Sequence, residues 1–316
     1  MDNPKLIFSP GPHGHTHRST SWAMYHVLIA LLPAVACSFY FFRLPAVGVM
    51  VVSVMACVAT EWAITRFMLR RGNTIYDGSA LLTGVLLALN LPSNLPLWMV
   101  AAGGVMAIGV AKMAFGGLGC NIFNPALVGR VFLLISFPVA MTSWPVPLNI
   151  DGITGPTVLG LEKMGELDAS SLDITPMLTG NMGGSMGEVS DLALLAGFGY
   201  LLAVRVIKWQ IPVCVILGLA AVDLLAGWPV LVDILSGGLL LGAIFMATDY
   251  VTSPMTNRGM IVYGFAIGAI TAVIRRWGAY PEGVSFAILI MNGFTPLINR
   301  IFKPSRFSVR RKEIAL

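Results

Sequence analysis

Four ionisable residues stand inside or at the ends of long apolar runs: Glu61, Arg130, Asp223 and Asp249. A charge is costly to hold in hydrocarbon, so each implies a buried partner, water or a function. Arg130 lies well inside its run and could pair with a carboxylate. Asp249 falls in the polar break Thr248-Asp249-Tyr250-Val251-Thr252-Ser253-Pro254. A helix interrupted there frees carbonyls and helix ends that can bind a cation or a polar ligand. Thr248, Asp249 and Asp223 are therefore the ion-path candidates. Asp223 is expected near the end of its run, where water reaches it, and Glu61 is expected to snorkel. A hydroxyl-bearing segment, Asp151-Gly152-Ile153-Thr154-Gly155-Pro156-Thr157, reads locally as a turn, because Gly and Pro punctuate it and Asp and Thr can hydrogen-bond the nearby backbone. His13, His15 and His17 alternate in a Pro- and Gly-flanked segment that reads as a solvated tail. Cys37, Cys57, Cys120 and Cys214 are scattered, and clustered thiolates for an iron–sulfur centre are missing from the sequence.

These residues need elements to position them, and composition says which. Of the 316 residues 56% are hydrophobic and only 11% charged, against about 25% charged in ordinary soluble domains. The bilayer is the natural solvent for such a chain, which reads as all-α and polytopic. About ten candidate spans lie near 24–42, 44–67, 79–91, 96–115, 124–141, 192–207, 211–228, 234–248, 260–275 and 283–299. Residues 1–22 are expected in the cytoplasm, and no cleaved signal is read there. The Lys and Arg bias then puts both termini inside, with 301–316 a basic cytoplasmic tail. The net charge of +5 is thus a topology signal and gives no reason to invoke nucleic acid. Arg275 and Arg276 run against the bias, on an outer connection. Tryptophans such as Trp22, Trp98, Trp144, Trp209 and Trp228 read as an interfacial belt. The long connection 142–191 is expected outside, and long loops are often functional.

Residues 23–141 and 192–300 look alike at an offset of 158 residues, with Gly84 on Gly242 and Pro96 on Pro254. Each half has a short third span followed by a polar or proline break. An odd number of spans per half inverts the second half relative to the first. Inverted repeats with interrupted helices mark transport folds with a site near the midplane.

Further blocks complete the pattern: Phe115-Gly116-Gly117-Leu118-Gly119, Asn124-Pro125-Ala126, Ala247-Thr248-Asp249, Thr252-Ser253-Pro254, Gly187-Glu188, Tyr280-Pro281-Glu282-Gly283 and Phe286-Ala287-Ile288-Leu289. Together with the Thr157 segment they resemble, in order along the chain, the family of the D subunit of Rnf electron-transport complexes and the B subunit of Na⁺-pumping NADH:quinone reductase. The flavinylation motif of that family is D-x-x-S/T-G-A-T, and here Pro156 replaces the usual Ala. The resemblance implies a covalent FMN, joined by a flavin transferase through a phosphodiester to Thr157. Asp151, Thr154 and Gly155 form the rest of the motif, and the linkage wants an exposed hydroxyl in an accessible loop. Arg130, able to hold a flavin phosphate or carbonyl, and Asn124 are further cofactor-binding candidates.

The resemblance further implies two inverted five-helix repeats, similar to the urea and ammonium channel fold, in the cell (inner) membrane. It implies electron relay between ferredoxin and NAD⁺ coupled to Na⁺ or H⁺ transport, with the A, B, C, E and G subunits of such a complex as partners. A second, non-covalent flavin, riboflavin in relatives, is expected in the helix bundle. No NAD site is expected in this chain, since the sequence lacks a strand–G-x-G-x-x-G–helix unit. Composition and repeat fit two other readings equally: a small-solute channel of urea-transporter type, and a scaffold protein of the complex without a cofactor.

Overall fold

The computed structural model describes residues 19–70, 74–148, 154–155, 157–164, 174–179, 183–188 and 190–303. Asp151, Pro156 and the N-terminal histidines lie outside the described residues. A helical segment occurs within each of the apolar runs. α1 (Thr20–Ala63) is capped by Ser19, whose hydroxyl accepts from Trp22 N at 3.1 Å. It breaks at Arg43 (φ 54°), just ahead of Pro45, and ends in a π turn, Ile64–Met68. α2 (Ser79–Leu89), α3 (Leu97–Val105, extended by a π turn Met106–Val110) and α4 (Pro125–Ser136) follow. Asn124 caps α4, accepting from Ala126 N at 3.0 Å, and Pro125 occupies the first turn, where its missing N–H costs nothing.

Several described elements lie in and just before the long connection. α5 (Pro138–Met141) leads to a two-residue antiparallel pair, β1 (Trp144–Pro145) with β2 (Thr154–Gly155), in which Trp144 faces Gly155. α6 (Val158–Met164) and α7 (Ile174–Thr179) come next. The second set of helices is α8 (Asp191–Ala203), α9 (Gln210–Ala226), α10 (Val230–Leu235), α11 (Leu239–Leu241, running into a π turn Gly242–Met246), α12 (Asn257–Trp277) and α13 (Val284–Ile301).

Among the described residues, four stretches are long and apolar enough to cross a bilayer: Thr20–Met68, Leu97–Phe115, Asn257–Trp277 and Val284–Ile301. The first, at 49 residues, is more than twice the length one crossing needs, and Arg43 divides it. Leu32, Met55, Val105, Ile261 and Val273 are exposed on these helices. Such apolar flanks are what a multi-pass membrane protein presents to lipid.

Small residues allow the central helices to approach closely, as in membrane bundles. α1 and α3 cross where Gly104 faces Cys57, a Cβ on the glycine lying 3.4 Å from its sulfur; α9 and α12 cross where Gly264 faces Cys214, at 3.0 Å from its Cβ. The same Cys-on-Gly contact thus occurs in both sets. α2 and the π turn that follows α11 end against each other. Asn90, at the end of α2, donates to Leu86 O at 2.7 Å and to the Met246 sulfur at 3.6 Å. Asn124 Nδ2 donates to Met246 O at 3.1 Å. The segment Met186-Gly187 lies on the same break, Gly187 N donating to Leu89 O at 2.7 Å.

Candidate functional site

Two cavities lie on either side of this meeting point. One, of about 240 Å³, is lined by Arg130, Trp144, Thr157, Tyr280, Glu282 and Phe286, among others. Thr157 reaches it as the residue preceding α6: its Oγ1 accepts from Gly160 N at 3.2 Å, and its carbonyl accepts from Leu161 N at 2.9 Å. The hydroxyl is therefore oriented by its own helix, with its proton not committed by that contact. Thr157 is only 6% exposed, which corrects the expectation of an exposed hydroxyl; it faces a cavity instead. Trp144, expected in an interfacial belt, is buried in the wall of the same cavity. Its partner strand brings Thr154, exposed, and Gly155, half-buried, alongside.

Arg130 projects from α4 into the cavity wall and is buried. Nη1 donates to Asn90 Oδ1 at 2.8 Å, Nη2 pairs with Glu282, and Nε has no hydrogen-bond partner among the described residues. Tyr280 and Phe286 stack with centroids 5.5 Å apart and planes 17° from parallel. The cavity thus offers a fixed hydroxyl, a buried cation with a spare donor and an aromatic wall. That donor set suits a planar ring bearing carbonyls and a phosphate.

The second cavity is lined by Ser79, Lys112, Asn121, Asn124, Thr248 and Asp249, among others. Asn124, a cofactor-binding candidate alongside Thr157 and Arg130, therefore sits apart from both. Asp249 is half-buried: Thr252 Oγ1 donates to its Oδ2 at 3.2 Å and Val251 N to its Oδ1 at 3.5 Å. Thr248 Oγ1 turns back to Ile244 O at 2.6 Å. Lys112 Nζ bonds Glu61 Oε2 and Ser79 Oγ, each at 2.6 Å, and Thr74 Oγ1 donates to Glu61 Oε1 at 2.8 Å. Glu61 and Lys112 are 1% and 2% exposed, so Glu61 does not snorkel; it is half of a buried ion pair. Both belong to segments that hydropathy reads as helix ends, where a lysine counts simply as part of the charge bias.

Asp223 lies in neither cavity. It is fully buried, not water-reached, and lies within electrostatic range of Asp233, Arg275 and Arg276. These two arginines, which run against the charge bias, are held by carboxylates and carbonyls. Arg276 donates to Glu162 Oε1 at 2.7 Å and to Asp233 Oδ2 at 2.6 Å, and its guanidinium carbon lies 4.5 Å from the Trp228 ring centre. Arg275 donates to Asp233 O, to Ser236 O at 2.9 Å and to Glu282 O at 3.3 Å. Among the described residues no group of three or more His, Cys, Asp or Glu side chains could hold a metal ion, and Cys37, Cys57, Cys120 and Cys214 are all free.

Comparison with known proteins adds a family. The family model described as "NQR2, RnfD, RnfE family" matches residues 7–308. The chain is 46% identical to the D subunit of the Na⁺-translocating ferredoxin:NAD⁺ oxidoreductase complex of Acetobacterium woodii, across 98% of each chain. It is 40% identical to the D subunit of the ion-translocating oxidoreductase complex of Stutzerimonas stutzeri, across 90% of this chain and 91% of that one. It is also 40% identical to the D subunit of the proton-translocating ferredoxin:NAD⁺ oxidoreductase complex of Clostridium ljungdahlii, across 97% and 98%.

Proposed function

Because the chain belongs to the NQR2, RnfD, RnfE family, we propose that it is the D subunit of an Rnf-type ion-translocating ferredoxin:NAD⁺ oxidoreductase complex and relays electrons through an FMN carried on Thr157. The observation that carries the reading is the cavity in which Thr157, Arg130 and the stacked Tyr280 and Phe286 meet. When bound, the flavin supplies reversible electron transfer. The chain's own residues do the rest. Thr157 Oγ1 is the point of attachment, and α6 fixes where it points. Arg130 supplies a cation that Asn90 and Glu282 hold in one orientation, ready to meet a flavin phosphate or carbonyl. Tyr280, Phe286 and Trp144 exclude water, which strengthens the field of Arg130 within the site.

In this reading the chain crosses the cell (inner) membrane about ten times as two inverted five-helix repeats of urea-channel type. Both termini are cytoplasmic and 142–191 lies outside. The matching Cys-on-Gly crossings and the converging short helices support the repeat. The Asn124 cavity then opens towards the cytoplasm, where Asp249 and Thr248 serve the ion path; Asn124 is committed to the α4 cap and to Met246 O. Asp223 leaves the ion path, since its surroundings are closed and arginine-rich. The chain has no NAD site of its own and works with the A, B, C, E and G subunits of the complex, after a flavin transferase has acted on it. Relatives are named for both ions, the Na⁺-translocating one at 46% identity and the proton-translocating one at 40%.

The test is a denaturing gel of the chain co-expressed with its transferase, beside Thr157→Ala. Flavin fluorescence surviving denaturation in the wild type and lost in the variant is the expected result. A dark wild-type band, with the transferase active on another target, refutes the attachment.

A further inference from the structure

The adjacent pair at the end of α12 touches both walls of the Thr157 cavity. On one side, Arg276 grips α6, which begins immediately after Thr157, through Glu162 at 2.7 Å, while Asp233 at 2.6 Å and the Trp228 ring at 4.5 Å fix the guanidinium. Lys163, the next residue of α6, donates to Gly278 O. On the other side, Arg275 donates to Glu282 O at 3.3 Å, in the turn that carries Tyr280 and pairs with Arg130. Arg275 is in turn anchored on the carbonyls of Asp233 and Ser236. One dipeptide thus sets the attachment point and the aromatic wall relative to each other.

A pair with this reach does more than balance charge. Arg275 and Arg276 occupy positions where the membrane charge bias disfavours arginine. Structural glue between α12 and α10 alone would need only the contacts to Asp233 and Ser236. The contacts to Glu162 and Glu282 instead lead to the two sides of one cavity. Arg276 presents a planar fork to two carboxylates at once, a geometry lysine cannot reproduce. We infer that Arg275 and Arg276 are positioning residues for the flavin site: Arg276, through Glu162, docks the helix bearing Thr157, and Arg275 holds the Tyr280–Gly283 turn that receives the ring. This inference rests on the attachment at Thr157 proposed above.

Glu162→Gln and Arg276→Gln test it in the full-length chain, co-expressed with the transferase and placed in nanodiscs, with Glu162→Asp as the conservative variant should either fail to fold. Three readouts are needed: flavin fluorescence in a denaturing gel, hydrogen exchange of the peptide 158–164, and the anisotropy and midpoint potential of the covalent flavin. The expected result is undiminished gel fluorescence, exchange roughly fivefold faster as a charge-assisted contact is lost, lower anisotropy and a shifted potential, with Glu162→Asp between these and the wild type. Unchanged exchange in both variants overturns the clamp. Faster exchange with wild-type anisotropy and potential also overturns the proposal, since the arginine then holds a helix without placing the flavin. A dark wild-type band is a different failure: it removes the attachment at Thr157, and the exchange data still report whether Arg276 holds α6.

Discussion

Lys112→Met should cost the protein several degrees of thermal stability, and Glu61→Gln should restore most of it. The two charges lie 2.6 Å apart at 2% and 1% exposure. At an effective dielectric of about 20 their attraction is about 6 kcal/mol. Removing both from water offsets much of that, so the pair adds little net stability. Removing one partner is different. Without Lys112, Glu61 keeps, among the described residues, only Thr74 Oγ1, at 2.8 Å, as a side-chain donor to its carboxylate. An uncompensated buried charge costs about 3–5 kcal/mol. For a chain of this size about 2 °C accompanies each kcal/mol, giving a loss of about 6–10 °C. In the double variant no charge remains, and the residual loss should be about 2–4 °C. The assay is loss of the monodisperse chromatographic peak on heating in nanodiscs. A single variant within 2 °C of the wild type (roughly 1 kcal/mol), or a double variant no better than the single one, would refute the pair as a closed buried unit.

Asp249→Asn should leave the covalent flavin in place while slowing ion transport or uncoupling it from electron transfer; unchanged pumping rate and stoichiometry in vesicles would remove Asp249 from the ion path. Arg130→Gln should lower the midpoint potential of the flavin, because a buried cation that favours the reduced form is lost; an unshifted potential would place the ring away from Arg130. Gly268→Ala should disrupt the α9–α12 crossing, since its Cβ would collide with Val215 O, whereas Gly199→Ala, with open space around it, should be silent. Comparable folded yields would mean the crossing is looser than these contacts imply. Cys120, exposed beside Gly119, should react with a membrane-impermeant maleimide in inverted vesicles and not in right-side-out ones; the reverse pattern would invert the proposed topology.

Helix positions were legible in the sequence because apolar runs and their Pro, Gly and Asn punctuation act locally. The short third helices, with Asn90 and Thr248 at their ends, could be read this way. Partnerships across long separations could not. Arg130 finds Glu282 and Asn90, and Lys112 finds Glu61, only because packing brings distant helices together. Nor could a local pattern foresee that Thr157 would lie in a buried wall beside Trp144. The anomaly of Arg275 and Arg276 was a usable signal: basic residues against the charge bias need partners, and Glu162, Asp223 and Asp233 were among the many acids on the same predicted side.

The septum between the two cavities is thin. From Asn124 to Met246, from Met246 to Asn90 and from Asn90 to Arg130, three side-chain contacts join the lining of one cavity to the lining of the other. With solvent in the Asn124 cavity and the Thr157 cavity dry, a bilayer voltage would not fall evenly over the membrane's thickness; it would concentrate on the buried chain and dry cavity beyond Asn124. One elementary charge moved through a drop of 100 mV carries about 2.3 kcal/mol. A cation carried inward from the Asn124 cavity through that layer would then do nearly the electrical work of a full crossing over only part of the membrane's thickness.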